Sequence, residues 1–265
     1  MNDLPLAHKV VVIIGGTSGI GLSGAKACIR AGATVIAVGH DPAQEPVAKR
    51  ELGEGGVVLT RDAMDPETAR KAVQLAVMNF GRLHGLYHVA GGSGRRWGDA
   101  ALHEVTDEGW ERTLQLNLTS MMYSNRAAVN QFFSQQSGGS ILNVSSVLSY
   151  SPAPKYFGTI AYATAKGAIL AMTRAAAAYY APQNIRFNVI APALTRTPMS
   201  QRAMSAQTIM EYVKTKQPLD GGRPGEPSDM DSAVVYFLSD QSSFVTGQVL
   251  SIDGGWSITE GQYPE

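Results

Sequence analysis

The stretch "HKVVVIIGGTSGIG", residues 8–21, limits the fold more than any other part of the chain. Val10 to Ile14 are all β-branched and aliphatic. Such a run suits a strand buried on both faces, because a half-buried strand would alternate apolar with polar residues. Glycines follow at once, and "GIGLSGAKACIRA" (19–31) then reads as a helix closed by Gly32. A doubly buried strand needs helices above and below its sheet, which points to an α/β architecture.

The remaining sequence supplies matching parts. "ATVIAVG" (33–39), "GGVVLT" (55–60), "LHGLYHVAG" (83–91), "GSILNVSS" (139–146), "NIRFNVIAP" (184–192) and "GQVLSIDGG" (247–255) read as six further strands. "DPETARKAVQLAVMNFG" (65–81) opens a helix with Asp65 as N-cap and Pro66 in its first turn. A long helix is expected from about Asp107 to Gln135, and "TIAYATAKGAIL" (159–170) starts another that ends near Tyr180. This alternation predicts a single domain, residues 1–265, with a doubly wound, seven-stranded parallel sheet covered by helices on both faces. The least regular stretches, 91–106, 147–160 and 192–227, follow strands four, five and six. In open parallel sheets, loops at those strand ends build the ligand crevice.

Composition narrows the function classes. Hydrophobic residues make up 44% of the chain, enough for a sizeable core. The 22 basic and 22 acidic residues cancel, leaving no electrostatic footprint for nucleic acid or an anionic membrane. Cys28 is the only cysteine, so an intrachain disulfide is impossible, and its apolar neighbours make it a small buried hydrophobe. The opening "MNDLPLAHK" lacks the apolar run of a signal peptide, and no stretch has the apolar length of a membrane span. A cytoplasmic protein is expected.

"GGTSGIG" (15–21) spaces Gly15, Gly19 and Gly21 as G-x-x-x-G-x-G in the first β–α turn. A tight turn, a phosphate close to the backbone and a helix packed on its strand all favour residues without a Cβ. The following helix N-terminus offers free N–H donors to a pyrophosphate. No Gly-Lys-Ser/Thr follows, so this is not a P-loop, and no G-x-S-x-G nucleophile elbow occurs. His84 and His88 fall in one strand, roughly 13 Å apart, too far to share a metal. Tyr162 and Lys166, four apart on a helix, share a face with their Cβ atoms about 5–6 Å apart. Alone, such a pair is ordinary amphipathic surface.

In order along the chain, "GGTSGIG", "VAGG", "LNVSS" and "YATAK" resemble the short-chain dehydrogenase/reductase family. "RDAMD" (61–65), "LQLNLTS" (114–120), "NVIAPALTRTPM" (188–199) and "VTGQVLSIDGGW" (245–256) extend the likeness from Lys9 to Gly255. The resemblance implies a Rossmann fold, a nicotinamide dinucleotide cofactor, interconversion of ketones and secondary alcohols, and a homotetramer. It places a catalytic tetrad at Asn117, Ser146, Tyr162 and Lys166. Tyr162 would be the acid/base, Lys166 its pKa modifier and a ribose ligand, Ser146 the group orienting the substrate oxygen, and Asn117 the anchor of a relay water. It also implies cofactor contacts at Gly15, Thr17, Ser18, Gly19, Ile20, Gly21, His40, Asp62, Ala63, Ala90, Gly91, Pro192, Thr195 and Thr197, beside Tyr162 and Lys166 themselves. Electrostatics supports the pairing: a fixed ammonium about 5 Å from a phenol, at an effective dielectric near 20, lowers its pKa by about two units, or roughly 3 kcal/mol.

The chain departs from the family pattern at four places. Ile14 replaces the usual Thr before the glycines, His88-Val89 the usual Asn-Asn, and Ala193 the usual Gly after Pro192. The interval from Ser146 to Tyr162 is longer than usual, and the extra residues lie in "LSYSPAPKYFGTI". His88 is expected to be structural. The cofactor is NADP or NAD: Gly39-His40 at the end of the second strand leans to NADP, while Asp41 would oppose a 2′-phosphate if it turned inward. Substrate-wall candidates are Ser93, Trp97, Leu148, Tyr150, Tyr156, Phe157, Ala193 and Met199, an apolar and aromatic set. Arg95 and Arg96 are either solvated loop residues or receivers of an acidic group. Two further readings stay open, a non-catalytic dinucleotide-binding sensor or scaffold and a reductase of activated C=C bonds on the same fold.

Overall fold

Every side chain of β1 (Val10–Ile14) is buried, and successive residues leave the sheet on opposite sides. Val10, Val12 and Ile14 enter one core, and Val11 and Ile13 enter the other. The computed structural model describes residues 4–264; residues 1–3 and 265 of the expected domain lie outside the described residues. After β1 the chain forms α1 (Gly19–Arg30), β2 (Thr34–Gly39), α2 (Glu45–Leu52), β3 (Gly56–Thr60), α3 (Pro66–Phe80) and β4 (Gly85–His88). It continues through α4 (Asp107–Leu114), α5 (Ser120–Ser134), β5 (Gly139–Val144), α6 (Pro154–Phe157), α7 (Ile160–Tyr180) and β6 (Ile185–Pro192). The last elements are α8 (Gln201–Met204), α9 (Gln207–Lys216), α10 (Asp231–Leu238) and β7 (Val249–Ile252).

The seven strands are all parallel in the order β3-β2-β1-β4-β5-β6-β7. The first core packs Ala69, Ala72 and Ala76 of α3, Phe132 of α5 and Ala177 of α7 against the sheet. The second packs Ala25 and Cys28 of α1 and Val234, Phe237 and Leu238 of α10 against the other face. Strand order reverses between β1 and β4, so the loops after these two strands part and leave a crevice at their carboxyl ends.

The structure adds detail to the long helix expected from Asp107 to Gln135. A π-type turn over Gln115–Thr119 separates α4 from α5, a local widening found often at functional sites. The stretch 192–227 holds two helices, α8 and α9. Together with α6 and Trp256 they form a separate small core around Val147, Ile209, Tyr212 and Val213. The irregular loops after β5 and β6 are therefore anchored to one another. α10 escaped the sequence reading because "DSAVVYFL" is a short, nearly continuous apolar run without clear helical periodicity.

The glycine turn is fixed by one close approach. A Cβ on Gly21 would lie 1.8 Å from the carbonyl oxygen of Gly15, which itself has a φ of +88°. Helical Gly167 has open space, with nothing nearer than 3.9 Å to its would-be Cβ. Gly21→Ala is accordingly expected to destabilise the protein by several kcal/mol, and Gly167→Ala to stabilise it by about 0.5–1 kcal/mol, in urea unfolding. Equal shifts for both substitutions would refute this account of the turn.

Candidate active site

One cavity of about 430 Å³ lies along the carboxyl ends of the central strands. His40, Arg61, Asp62 and Ala63, after β2 and β3, line one end. Leu148, Phe157, Met199 and Trp256 line the other. Between them run Gly15, Thr17, Ser18, Gly19 and Ile20, then Ala90 and Gly91, then Ser146, Tyr162 and Lys166. Pro192 at the end of β6, with Ala193, Thr195 and Thr197 beyond it, and Ser93 after β4 also line the wall. Fifteen of the sixteen cofactor positions implied by the resemblance thus share one cavity; the exception, Gly21, supports the loop from beneath.

The walls fit a dinucleotide. Ser18 at the N-cap of α1 makes no side-chain bond to the helix, and the first turn carries no acid. Its free N–H groups therefore face the cavity with nothing negative beside them, as an anion requires. At the far end Gly39 is the residue expected to carry the ribose-binding acid in NAD enzymes. Any Cβ there would meet the Thr17 hydroxyl at 1.8 Å, so a side chain is excluded. Asp41 does not turn inward; its carboxylate accepts the Ala43 N–H at 2.9 Å and caps the next turn. Arg61 at the same end pairs with Asp65 at 2.8 Å, while its buried Nε has no partner.

Tyr162 and Lys166 stand on one face of α7, with the ammonium 5.6 Å from the phenol ring centre. Lys166 is 3% exposed and donates to the Val144 carbonyl at 3.0 Å. Burial lowers its pKa to about 8. Tyr162 moves opposite to the sequence expectation: burial pushes its phenol up to about 12, and the Ser146 hydroxyl beside it offsets this only in part. Loss of water around the phenol dominates the shift, and the Lys166 charge does not offset it. At neutral pH Tyr162 is therefore a neutral proton donor.

Ser146 follows β5, and its Oγ accepts the Leu148 N–H at 3.2 Å. That contact fixes the oxygen and leaves the hydroxyl proton free to donate. Asn117 lies in the π-type turn, fully buried, and does not line the cavity. Its Nδ2 donates to the carbonyls of Gly92 and Thr113 at 2.9 and 3.0 Å, and its Oδ1 accepts the Gly92 N–H at 3.0 Å. The side chain thus holds the loop after β4. His88 is also fully buried. Its Nδ1 meets Ser124 Oγ at 2.7 Å and its Nε2 meets the Ala90 carbonyl at 3.1 Å. A ring protonated at Nε2 donates to that carbonyl and accepts the serine hydroxyl, satisfying both sides. Burial and the nearby Lys166 charge lower its pKa to about 3, so it stays neutral and structural.

Three substrate candidates lie away from the cavity. Trp97 is covered by the Arg96 guanidinium at 4.1 Å. Tyr150 is exposed and bonds Ser251 Oγ at 2.7 Å. Tyr156 packs its ring on Tyr212 and Tyr263 at 5.4 and 5.7 Å. Aromatic character alone could not separate cavity wall from core.

The sequence reading also missed Asp99. Its buried carboxylate accepts the N–H groups of Ala161 and Tyr162 at 2.9 and 3.0 Å, capping α7 from a loop far away in sequence. The Ala100 carbonyl accepts the Ile160 N–H at 3.0 Å, completing the cap. Asp99→Ala is expected to lower stability by about 1–2 kcal/mol in urea unfolding, because two donors and the helix dipole lose their partner. An unchanged midpoint would show that the cap contributes nothing.

Residues 15–257 match a family model described as enoyl-(acyl carrier protein) reductase. The chain is 32% identical over 262 residues to 3beta-hydroxysteroid dehydrogenase 2 of Eggerthella lenta, covering 95% of this chain and 96% of that protein. It is 33% identical over 257 residues to 2-(S)-hydroxypropyl-CoM dehydrogenase 3 of Xanthobacter autotrophicus, covering 94% and 97%. A solved structure of a short-chain type dehydrogenase/reductase from Mycobacterium ulcerans superposes with a TM-score of 0.87 at 31% identity, covering 97% of this chain and 93% of that one.

Proposed function

The chain belongs to the short-chain dehydrogenase/reductase family, NAD(P)-dependent oxidoreductases of the CH–OH/C=O pair, and from this premise we propose that Tyr162, Ser146 and Lys166 carry the reaction on a ketone or secondary alcohol. The observation that carries the reading is their convergence in one cavity continuous with the glycine turn. When bound, the cofactor supplies hydride to the carbonyl carbon or takes it from the carbinol.

The chain's own groups do the rest. Ser146 donates its hydroxyl proton to the substrate oxygen, orienting it and stabilising its developing charge. Tyr162, neutral by burial, gives its Oη proton to that oxygen as the carbonyl is reduced, and takes one back in the reverse direction. Lys166 remains near the ring to stabilise the phenolate so formed, and its ammonium would also hold the ribose hydroxyls of the bound cofactor. Asn117 acts through the backbone it holds, keeping Gly91 and Gly92 in place against the cavity. The glycine turn and α1 take the pyrophosphate.

Tyr162→Phe is expected to lower kcat for ketone reduction by at least about 10²-fold while leaving cofactor affinity nearly unchanged. Undiminished ketone turnover in that variant would sink the proposed role. The description of the matching family model makes C=C reduction the second reading. Turnover of an enone's double bond, with ketones inert, would replace the first reading by the second.

We read the cofactor as NADP. Gly39 admits no ribose-binding acid, Asp41 is committed to its turn, and His40 and Arg61 line that end. Fluorescence titration is expected to show NADPH binding tighter than NADH, with the gap narrowing in His40→Ala and Arg61→Ala. A preference for NADH unaffected by either change would reverse this assignment.

A further inference from the structure

Two guanidiniums meet at the substrate end of the cavity with no carboxylate between them. Arg95, in the turn Arg95–Trp97 after β4, and Arg202, on α8, both line it. Each sends an Nη2 to the same acceptor, the Tyr156 carbonyl of α6, at 3.4 and 3.1 Å. Among the described residues neither makes an ion pair. Arg196 and Arg223 are neutralised, Arg196 by Glu226 at 2.9 Å and Arg223 by Asp220 and Asp229, while Arg96 covers Trp97 without an ion pair among the described residues. The one neighbouring carboxylate, Asp99, is committed to capping α7.

We infer that Arg95 and Arg202 form an anion subsite, and that the substrate of this enzyme is a ketone or secondary alcohol bearing a carboxylate or a comparable anionic group. The inference rests on the oxidoreductase reading and names its substrate class. Two like charges drawn to one carbonyl repel each other, and an anion between them relieves that repulsion. Each guanidinium has five N–H donors in a planar fork and commits one to Tyr156, leaving the rest for an oxyanion. The apolar residues Leu148, Phe157 and Met199, beside Trp256, then accommodate the body of the substrate between the anion and Tyr162. The lengthened segment after β5 has a defined part in this arrangement, because it supplies the carbonyl that gathers both arginines.

The test uses the cofactor-loaded protein and two readouts. Calorimetry compares butyrate and hexanoate with butyramide and hexanamide, in the parent, in Arg95→Gln/Arg202→Gln, and in the charge-conserving Arg95→Lys/Arg202→Lys. The carboxylates are expected to bind the parent about tenfold tighter than the amides, the Gln pair to erase that ratio, and the Lys pair to keep part of it. Equal binding of acid and amide by the parent, or a ratio that survives the Gln pair, would overturn the subsite. Turnover of levulinate against its methyl ester gives the second readout. Anion-selective binding without turnover of any ketone leaves the subsite standing and removes the oxidoreductase reading. Turnover of the ester as fast as the acid does the reverse.

Discussion

The burial of one ammonium group governs this site. Lys166 is held beneath the carboxyl ends of β4 and β5 with a single carbonyl as its hydrogen-bond partner. The fall of its pKa to about 8 corresponds to roughly 3 kcal/mol relative to an ordinary lysine. The same field helps keep His88 neutral, so that residue can serve only as a hydrogen-bonded spacer. The ammonium is balanced most directly by negative charge forming beside it, which is what a phenolate at Tyr162 would provide. A pair that stores this imbalance at rest is suited to stabilising charge during reaction.

Such a pair works only if its helix is fixed, and the fixation comes from distant parts of the chain. Asp99 and Ala100 cap the start of α7, Ser145 donates to the Lys166 carbonyl at 2.7 Å, and Asn117 ties the loop after β4 to the π-type turn. The Asn125–Asn143 side-chain pair, 3.0 Å in each direction, joins α5 to β5. These contacts are buried and polar, so each one left unsatisfied would cost more than it contributes when made. The substrate end is built differently, from loops that share a small apolar core. Specificity can therefore vary there while the reactive pair stays in place.

Much of this was legible in the sequence. The apolar runs located the seven strands to within a few residues, most plainly β1, β2, β5 and β6, whose burial on both faces leaves a continuous apolar signal. The tetrad and glycine turn were located by their order along the chain, and the structure gathers all but Asn117, Gly16 and Gly21 at one cavity. What sequence could not show depends on contacts far apart in the chain. Asp99 looks like any loop acid until α7 is placed above it. Arg202 lies in a stretch read as irregular, and its meeting with Arg95 exists only in three dimensions. The direction of the Tyr162 shift is a property of burial, which the spacing of Tyr162 and Lys166 does not encode. Trp97, Tyr150 and Tyr156 were misplaced for the complementary reason, since an aromatic ring serves a guanidinium contact, a surface hydrogen bond or a core as well as a cavity.

The central claim is that burial keeps Tyr162 protonated until a positive charge arrives beside it. The most direct measurement is a pH titration of the ¹³Cζ resonance of Tyr162, with and without the oxidised cofactor. In the protein alone the phenol should remain protonated well past pH 10, in keeping with its rise to about 12. With the oxidised cofactor its midpoint should fall by about two pH units, the effect of one added cation at close range. A phenol that already ionises near neutrality in the protein alone, or one whose midpoint the cofactor leaves unmoved, would contradict the account.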